Sequence, residues 1–173
     1  VTPAAPAPVT QTLFGVKSDA ASGKILITLP APGADGVLGR YIYATGLRTG
    51  LGSPNIRLDR GMQGPDQLVV FRRYGKKIAV QFENPTYRAT GASAAEQAAA
   101  RDSFAFTTVW MTDIAQTEAD GRITIDIAPF LTKDMIGVAQ ELAQGGAKGY
   151  RLAENLSTPD FSATAAFPDN VEF

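Results

Sequence analysis

Two apolar runs joined by one glycine constrain the fold of this chain more than any other feature. Gln67–Tyr74 and Lys76–Glu83 are rich in β-branched and aromatic residues, and Gly75 lies between them. This pattern predicts two antiparallel strands connected by a tight turn. Four basic residues flank the turn: Arg72, Arg73, Lys76 and Lys77. Such a cluster is either a partner-binding patch or, more commonly, a solvated hairpin end that discourages edge aggregation.

Strand patterns recur along most of the chain, whereas helical patterns are few. The further predicted strands are Gln11–Asp19, Lys24–Leu29, Arg40–Leu47, Phe104–Asp113, Arg122–Ile127 and, more weakly, Tyr150–Leu156 and Ala163–Phe173. One helix is predicted over Ser93–Asp102, where Ser93 and Glu96 form a capping box, and a second over Lys133–Gln144, with Thr132 as its N-cap. We therefore predict an α+β, β-rich fold with a mainly antiparallel sheet of about eight strands and two short helices.

The composition excludes several classes of site. The 173-residue chain contains neither histidine nor cysteine, which rules out imidazole or thiolate zinc ligands and a Ser-His-Asp triad within it. A metal would have to be a hard cation bound by oxygen, but Asp113, Glu118 and Asp120 lack the spacing of an EF-hand loop. The formal net charge of −1 argues against nucleic acid or an anionic membrane as the main partner. No apolar run is long enough to span a bilayer.

The stretch Gly46–Gly64 is the candidate functional loop. It is long, glycine-rich and without a helical or strand period, and loops of this kind are usually functional or packed on their own side chains. Its Gly-x-Gly does not continue into a dinucleotide fingerprint, because the third glycine position is occupied by Asn55. The candidate interface residues are Gly50, Gly52, Asn55, Arg57, Asp59 and Arg60. Asp59 and Arg60 are expected to fasten the loop, with partner contact as the alternative and chemistry as the least favoured role.

Aromatic and acidic residues elsewhere indicate no defined reaction. Tyr41, Tyr43, Tyr87 and Trp110 are expected in the core or at an interface rather than as a sugar-binding platform. A two-carboxylate hydrolase stays open, although nothing in the sequence pairs two particular acids. Residues 1–10 form a proline- and alanine-rich tract that we expect to be flexible, and residues 11–173 are expected to form one domain.

Four segments together resemble one family: the uncharacterised domain N-terminal to the zincin catalytic domain of large exported bacterial zinc metallopeptidases. The segments are Tyr41–Leu47 with Gly50–Ser53 and Ile56–Gly61, Val69–Lys77, Asn84–Ala89, and Ile123–Leu131 followed by a short helix and Gly149–Leu152. They occur in the expected order across most of Phe14–Phe173. The glycine-rich stretch is the most specific of them.

The resemblance implies a non-catalytic accessory domain. In that family, zinc is bound by a His-Glu-x-x-His helix in a later domain, so this chain holds no cofactor and no catalytic residue can be transferred to it. It implies a periplasmic or secreted location and docking on a downstream catalytic domain of the same polypeptide, with a protein or peptide substrate as a further partner. The alternatives are a self-contained extracytoplasmic protein- or glycan-binding module and, more remotely, the carboxylate-dependent hydrolase.

Overall fold

The computed structural model describes residues 12–50, 52, 58–84, 90–91, 93–104 and 106–173. The strands are β1 (Gly15–Asp19), β2 (Lys24–Leu29), β3 (Val37–Tyr43), β4 (Gln67–Tyr74), β5 (Lys77–Glu83), β6 (Thr107–Asp113), β7 (Gln116–Thr117), β8 (Ile123–Asp126), β9 (Ala165–Ala166) and β10 (Val171–Glu172). The helices are α1 (Ala94–Ser103), α2 (Ala128–Leu131) and α3 (Val138–Gln144), and Glu154–Leu156 forms a 3-10 turn. The flexible tract predicted for residues 1–10 lies outside the described residues.

A first sheet has the strand order β1-β2-β8-β7, and all its neighbouring strands are antiparallel. Alternate residues of β2 and β8 face the core: Ile25, Ile27, Leu29, Ile123 and Ile125 are each 1% exposed or less. This period of two is the one predicted from the isoleucine alternation. Full burial of one such side chain contributes about 1.5–3 kcal/mol, so these residues dominate the stability of the sheet.

A second sheet has the order β3-β4-β5-β6, and its centre is the predicted hairpin. The chain reverses between Tyr74 and Lys77, where Gly75 adopts a φ of 60°, a left-handed conformation that glycine accepts readily. Val69, Phe71, Ile78 and Val80 face the core and are buried.

Both sheets contribute to one hydrophobic core, which α2 closes. Pro129 lies in the first turn of α2, a position where proline's missing N–H costs nothing. Phe130 is 4% exposed, and its ring centroid lies 5.6 Å from that of Trp110 and 5.9 Å from that of Tyr43. The helix therefore joins the second sheet to the end of β8.

The prediction of the second helix is wrong in its N-terminal half. Thr132 is the C-cap of α2 and not the N-cap of a helix, and α3 begins only at Val138. Gly137 precedes α3 with a φ of 83°, so a continuous helix from Lys133 is broken there. The carboxylate of Asp134 accepts hydrogen bonds from the backbone N–H groups at the start of α3 instead. The predicted helix end is confirmed, since Gly145 is the C-cap.

The C-terminal segment also differs from the prediction. The described structure forms a 3-10 turn within Tyr150–Leu156 in place of a strand, and Ala163–Phe173 holds the small hairpin β9–β10 in place of one long strand. Both segments are poor in β-branched residues, so the packing of the segment decides its conformation. The fold class is nevertheless confirmed as β-rich α+β with antiparallel sheets. None of the helices among the described residues is long and apolar enough to cross a membrane.

Candidate functional site

The Gly46–Gly64 stretch is a loop closed at its neck by backbone hydrogen bonds. The N–H of Leu47 donates to the carbonyl of Met62 at 2.9 Å, and the carbonyl of Leu47 accepts from the N–H of Gly61 at 2.8 Å. The N–H of Gly64 donates to the carbonyl of Thr45 at 3.0 Å, and Gly46 forms a β-bridge with Gln63. The loop therefore leaves and re-enters the fold at one point beside the end of β3, as Ω-loops do.

The two arms of the loop are in close contact at Gly50. A Cβ at this position would lie 2.5 Å from the carbonyl oxygen of Leu58 and 2.6 Å from the backbone nitrogen of Arg60. Leu58 itself is only 2% exposed, so it anchors the returning arm. Glycine is needed at position 50 because the space of a side chain is occupied by backbone.

The other candidate residues of the loop are placed as follows. Gly52 adopts a φ of 63° with open space around it. Asp59 and Arg60 are exposed, and among the described residues neither side chain has a hydrogen-bond partner. The backbone of Asp59 contributes to the neck, since its carbonyl accepts from the N–H of Met62 at 3.0 Å. Asn55 and Arg57 lie outside the described residues.

A large open groove lies beside the neck of this loop, and we call it the β3 groove. Its volume is about 1190 Å³. One wall is the end of β3 and the residues after it, 41–46; the others are the connection from α2 to α3 and parts of the C-terminal segment, including residues 150–153 and 169–173. Sequence reasoning missed the groove because its walls come from three distant segments. The only signal in the sequence was the clustering of apolar residues after position 150.

Tyrosines of β3 pack at the inner side of the groove. The ring of Tyr41 makes edge contacts with Phe14 and Phe71 at centroid distances of 5.5 and 6.0 Å, and Tyr43 packs on Phe82 at 5.7 Å. Burial raises the pKa of both phenols above its ordinary value, so they are neutral at physiological pH. With Trp110 in the core as well, these residues act as the predicted core aromatics; Tyr87 lies outside the described residues.

Ion pairs join the walls of the groove. Arg48 of the loop contacts Asp160 of the C-terminal segment at 3.3 Å, and Lys133 contacts Glu154 at 3.4 Å. The hydroxyl of Ser162, followed by the backbone N–H of Ala163, lowers the pKa of Asp160, so this carboxylate stays ionised. The Arg48–Asp160 pair is largely exposed and thus contributes little stability, but it aligns the loop with the opposite wall.

The acids considered for a calcium site do not gather into one. Asp113 pairs with Lys77 at 2.8 Å, Asp120 pairs with Arg122 at 2.8 Å, and Glu118 accepts a hydrogen bond from Thr124 at 2.9 Å. Among the described residues, no three acidic side chains lie close enough to hold a metal ion. The three carboxylates therefore stabilise local structure.

The basic residues near the β4–β5 turn are also partly engaged within the fold. The guanidinium of Arg72 stacks over the ring of Phe106 at 4.9 Å, and Arg73 donates to the carbonyl of Gly75 at 2.9 Å. Lys77 is held by Asp113. Only the contact with Asp113 offsets a charge; the other two hold the arginine side chains against the fold and leave their charges in place.

Comparison with known proteins gives one match. No curated protein and no solved structure matches this chain. The profile of one family, described as a domain of unknown function and designated DUF5117, matches residues 61–173. This range includes β4 to β10 and two of the three segments that form the groove walls, the α2–α3 connection and the C-terminal segment. Because the match covers more than half of the sequence, the chain belongs to the DUF5117 family.

Proposed function

We propose that this domain is a non-catalytic N-terminal accessory module of an exported, periplasmic or secreted, zinc metallopeptidase, and that it docks on the downstream catalytic domain or shapes its cleft. The resemblance of the glycine-rich stretch and its neighbouring strands supports this proposal. Zinc and the His-Glu-x-x-His helix would belong to the catalytic domain, because this chain has no histidine to contribute.

The observation that carries the proposal is an excess of exposed apolar side chains in the C-terminal segment. The described part of the chain exposes nine large hydrophobic residues, and five of them follow position 149: Tyr150, Leu152, Leu156, Phe167 and Phe173. Leu156 is 83% exposed. Apolar side chains concentrated in one surface segment mark an interaction site more often than scattered ones do. A neighbouring domain that packs on this segment would bury them.

Hydrogen exchange tests the proposal by comparing this chain alone with the full-length precursor. We expect the precursor to bind one zinc ion and the backbone amides of residues 150–173 to exchange more slowly in it. Leu156→Lys should reverse that protection and change the peptidase rate, because a charge would be placed in the docking surface. Met111→Lys is the matched control, since Met111 is also an exposed hydrophobic residue but lies on β6.

Two results would overturn the proposal. One is a precursor that contains no zinc-binding catalytic domain. The other is equal exchange of residues 150–173 in the precursor and in the chain alone, because a docked segment must be protected from solvent.

A further inference from the structure

The outer edge of β3 runs along the β3 groove. In the second sheet β3 is a terminal strand, so its only strand partner is β4. Tyr41, Ile42 and Tyr43 all line the groove, although successive side chains of a strand point to opposite faces of a sheet. A groove that contacts three residues in succession must therefore follow the edge of the strand. Its wall includes the outward-pointing backbone N–H and C=O groups of β3.

The second half of the β3 edge lacks the usual features that prevent another strand from pairing with it. Arg40 is engaged by Glu83 at 3.0 Å, and the only irregularity in the β3–β4 register lies between Val37 and Gly39. Charged side chains and prolines commonly protect an edge strand from pairing with another strand. The three residues that follow Arg40 carry no charge and include no proline. Ile42 is 81% exposed, and no backbone group among the described residues outside β4 bonds to residues 40–43.

The opposite wall has a charge that a peptide could complement. Asp169 and Glu172 lie on the β9–β10 hairpin and line the groove. Among the described residues neither forms an ion pair, although Glu172 accepts a hydrogen bond from the amide of Asn170 at 3.3 Å. The other acids of the groove are occupied, since Asp160 pairs with Arg48 and Asp134 caps α3. Arg151 is the only basic lining residue outside an ion pair in the described structure, so this wall is acidic overall.

We propose that the β3 groove binds an extended peptide segment of a partner protein as an added strand on β3. The peptide backbone would pair with the free groups of β3, its alternate apolar side chains would contact Tyr41 and Tyr43 on one face and Ile42 on the other, and a lysine or arginine would lie against Asp169 and Glu172. This is strand addition, in which main-chain hydrogen bonds give affinity and side-chain contacts give selectivity. A lipid or another apolar ligand would leave the backbone groups of the edge unpaired. The inference does not depend on the proposed docking to a catalytic domain.

The test uses a defined probe: an acetylated and amidated peptide of alternating valine and threonine with a lysine at each end. Its binding to the whole chain is followed by two-dimensional NMR of the backbone amides. We expect saturable shifts at residues 40–46 and 169–172. A peptide with the same side chains but N-methylated valines should bind at least about tenfold more weakly, because it loses the donors of one edge.

Matched variants distinguish the edge from a general apolar surface. Ile42→Lys places a charge on the edge and should weaken binding by about tenfold or more. Met111→Lys makes the same change at an exposed hydrophobic residue outside the groove, on β6, and should bind like the wild type. Asp169→Asn combined with Glu172→Gln should weaken binding by several-fold at low salt and less at high salt, whereas Asp66→Asn, an exposed acid outside the groove, should not.

Three outcomes would overturn the inference. The first is the absence of shifts at residues 40–46 up to millimolar peptide. The second is equal binding of the N-methylated peptide, which would show apolar binding without strand pairing. The third is an equal loss with Met111→Lys and Ile42→Lys. Each of these leaves the docking proposal intact, because that proposal is tested by exchange of residues 150–173 in the precursor.

Discussion

At the scale of single residues, Gly50 sets the shape of the candidate loop. A methyl group at this position would overlap the backbone of residues 58–60, with distances of 2.5–2.7 Å. We expect Gly50→Ala to lower the free energy of unfolding by about 1–3 kcal/mol, because the two arms must separate to accept it. Chemical denaturation in urea measures this change.

Gly46→Ala is the matched control for that substitution. Gly46 lies in the neck of the same loop, where a Cβ would be 3.8 Å from the carbonyl oxygen of Met62, an ordinary contact. It should therefore leave stability within about 0.5 kcal/mol or raise it slightly, because alanine restricts the unfolded chain. If both variants lose the same stability, steric contact at Gly50 is not the cause.

The residues of this loop show which part of a site a sequence can predict. Glycine density identified a special backbone in Gly46–Gly64, and close approach at Gly50 accounts for one of those glycines. The role of Asp59 and Arg60 as fasteners was inferred from residue type alone. Between the described residues the neck is held by main-chain groups, such as those of Leu47, which every residue type carries; the fastening role of Asp59 and Arg60 stays a prediction. Backbone pairing of this kind leaves no residue-specific signal in a sequence.

At the scale of elements, α3 depends on a cap that lies well before its first residue. Asp134 accepts hydrogen bonds from the backbone N–H groups of Gly137, Val138 and Ala139 at 3.0, 2.8 and 2.9 Å. A helix of seven residues is too short to be stable by propensity, so its cap and its packing must hold it. Asp134→Ala should therefore lower the free energy of unfolding by about 1–2 kcal/mol.

Urea denaturation measures that loss, and Asp66→Ala serves as the control. Asp66 is exposed and makes no hydrogen bond in the described structure, so its removal should cost less than about 0.5 kcal/mol. An unchanged stability of Asp134→Ala would mean that solvent satisfies the start of α3 equally well.

The same element explains why the start of one predicted helix was correct and the start of the other was not. The capping box of α1 is local: the N–H and hydroxyl of Ser93 each lie 2.8 Å from the carboxylate of Glu96, within three residues. The start of α1 could therefore be predicted from the sequence. The start of α3 depends on the left-handed turn at Gly137, and α2, which precedes it and packs in the core through Phe130, ends at Leu131. Tertiary packing decided that boundary.

At the scale of the whole molecule, strand pairs joined by short turns were predictable, whereas the pairing of distant strands and the assembly of the sheets were not. Alternation in Lys24–Leu29 and Ile123–Asp126 predicts two strands with a buried face. Nothing in it predicts that these two strands, about a hundred residues apart, pair with Leu26 opposite Asp126. The β3 groove depends on that assembly, because its walls come from the second sheet, the α2–α3 connection and the C-terminal segment. Residue patterns therefore predicted only the β3 wall as a regular element, and the packed structure supplies the other two walls and brings all three together.

One shared core implies that the two sheets unfold together. Ile125 belongs to the first sheet and is fully buried, and Trp110, the single tryptophan of the chain, packs against the same core from the second sheet. Ile125→Ala should lower the free energy of unfolding by about 2–5 kcal/mol through lost contacts and a cavity. Tryptophan fluorescence and far-ultraviolet circular dichroism should report the same lowered midpoint in urea, because cooperative unfolding moves all probes together.

Thr117→Ala, an exposed change on β7 of the first sheet, should move neither midpoint. A dichroism midpoint that falls while the fluorescence midpoint stays in place would show that the sheets are separate units, and the β3 groove would then have to form between parts that open independently.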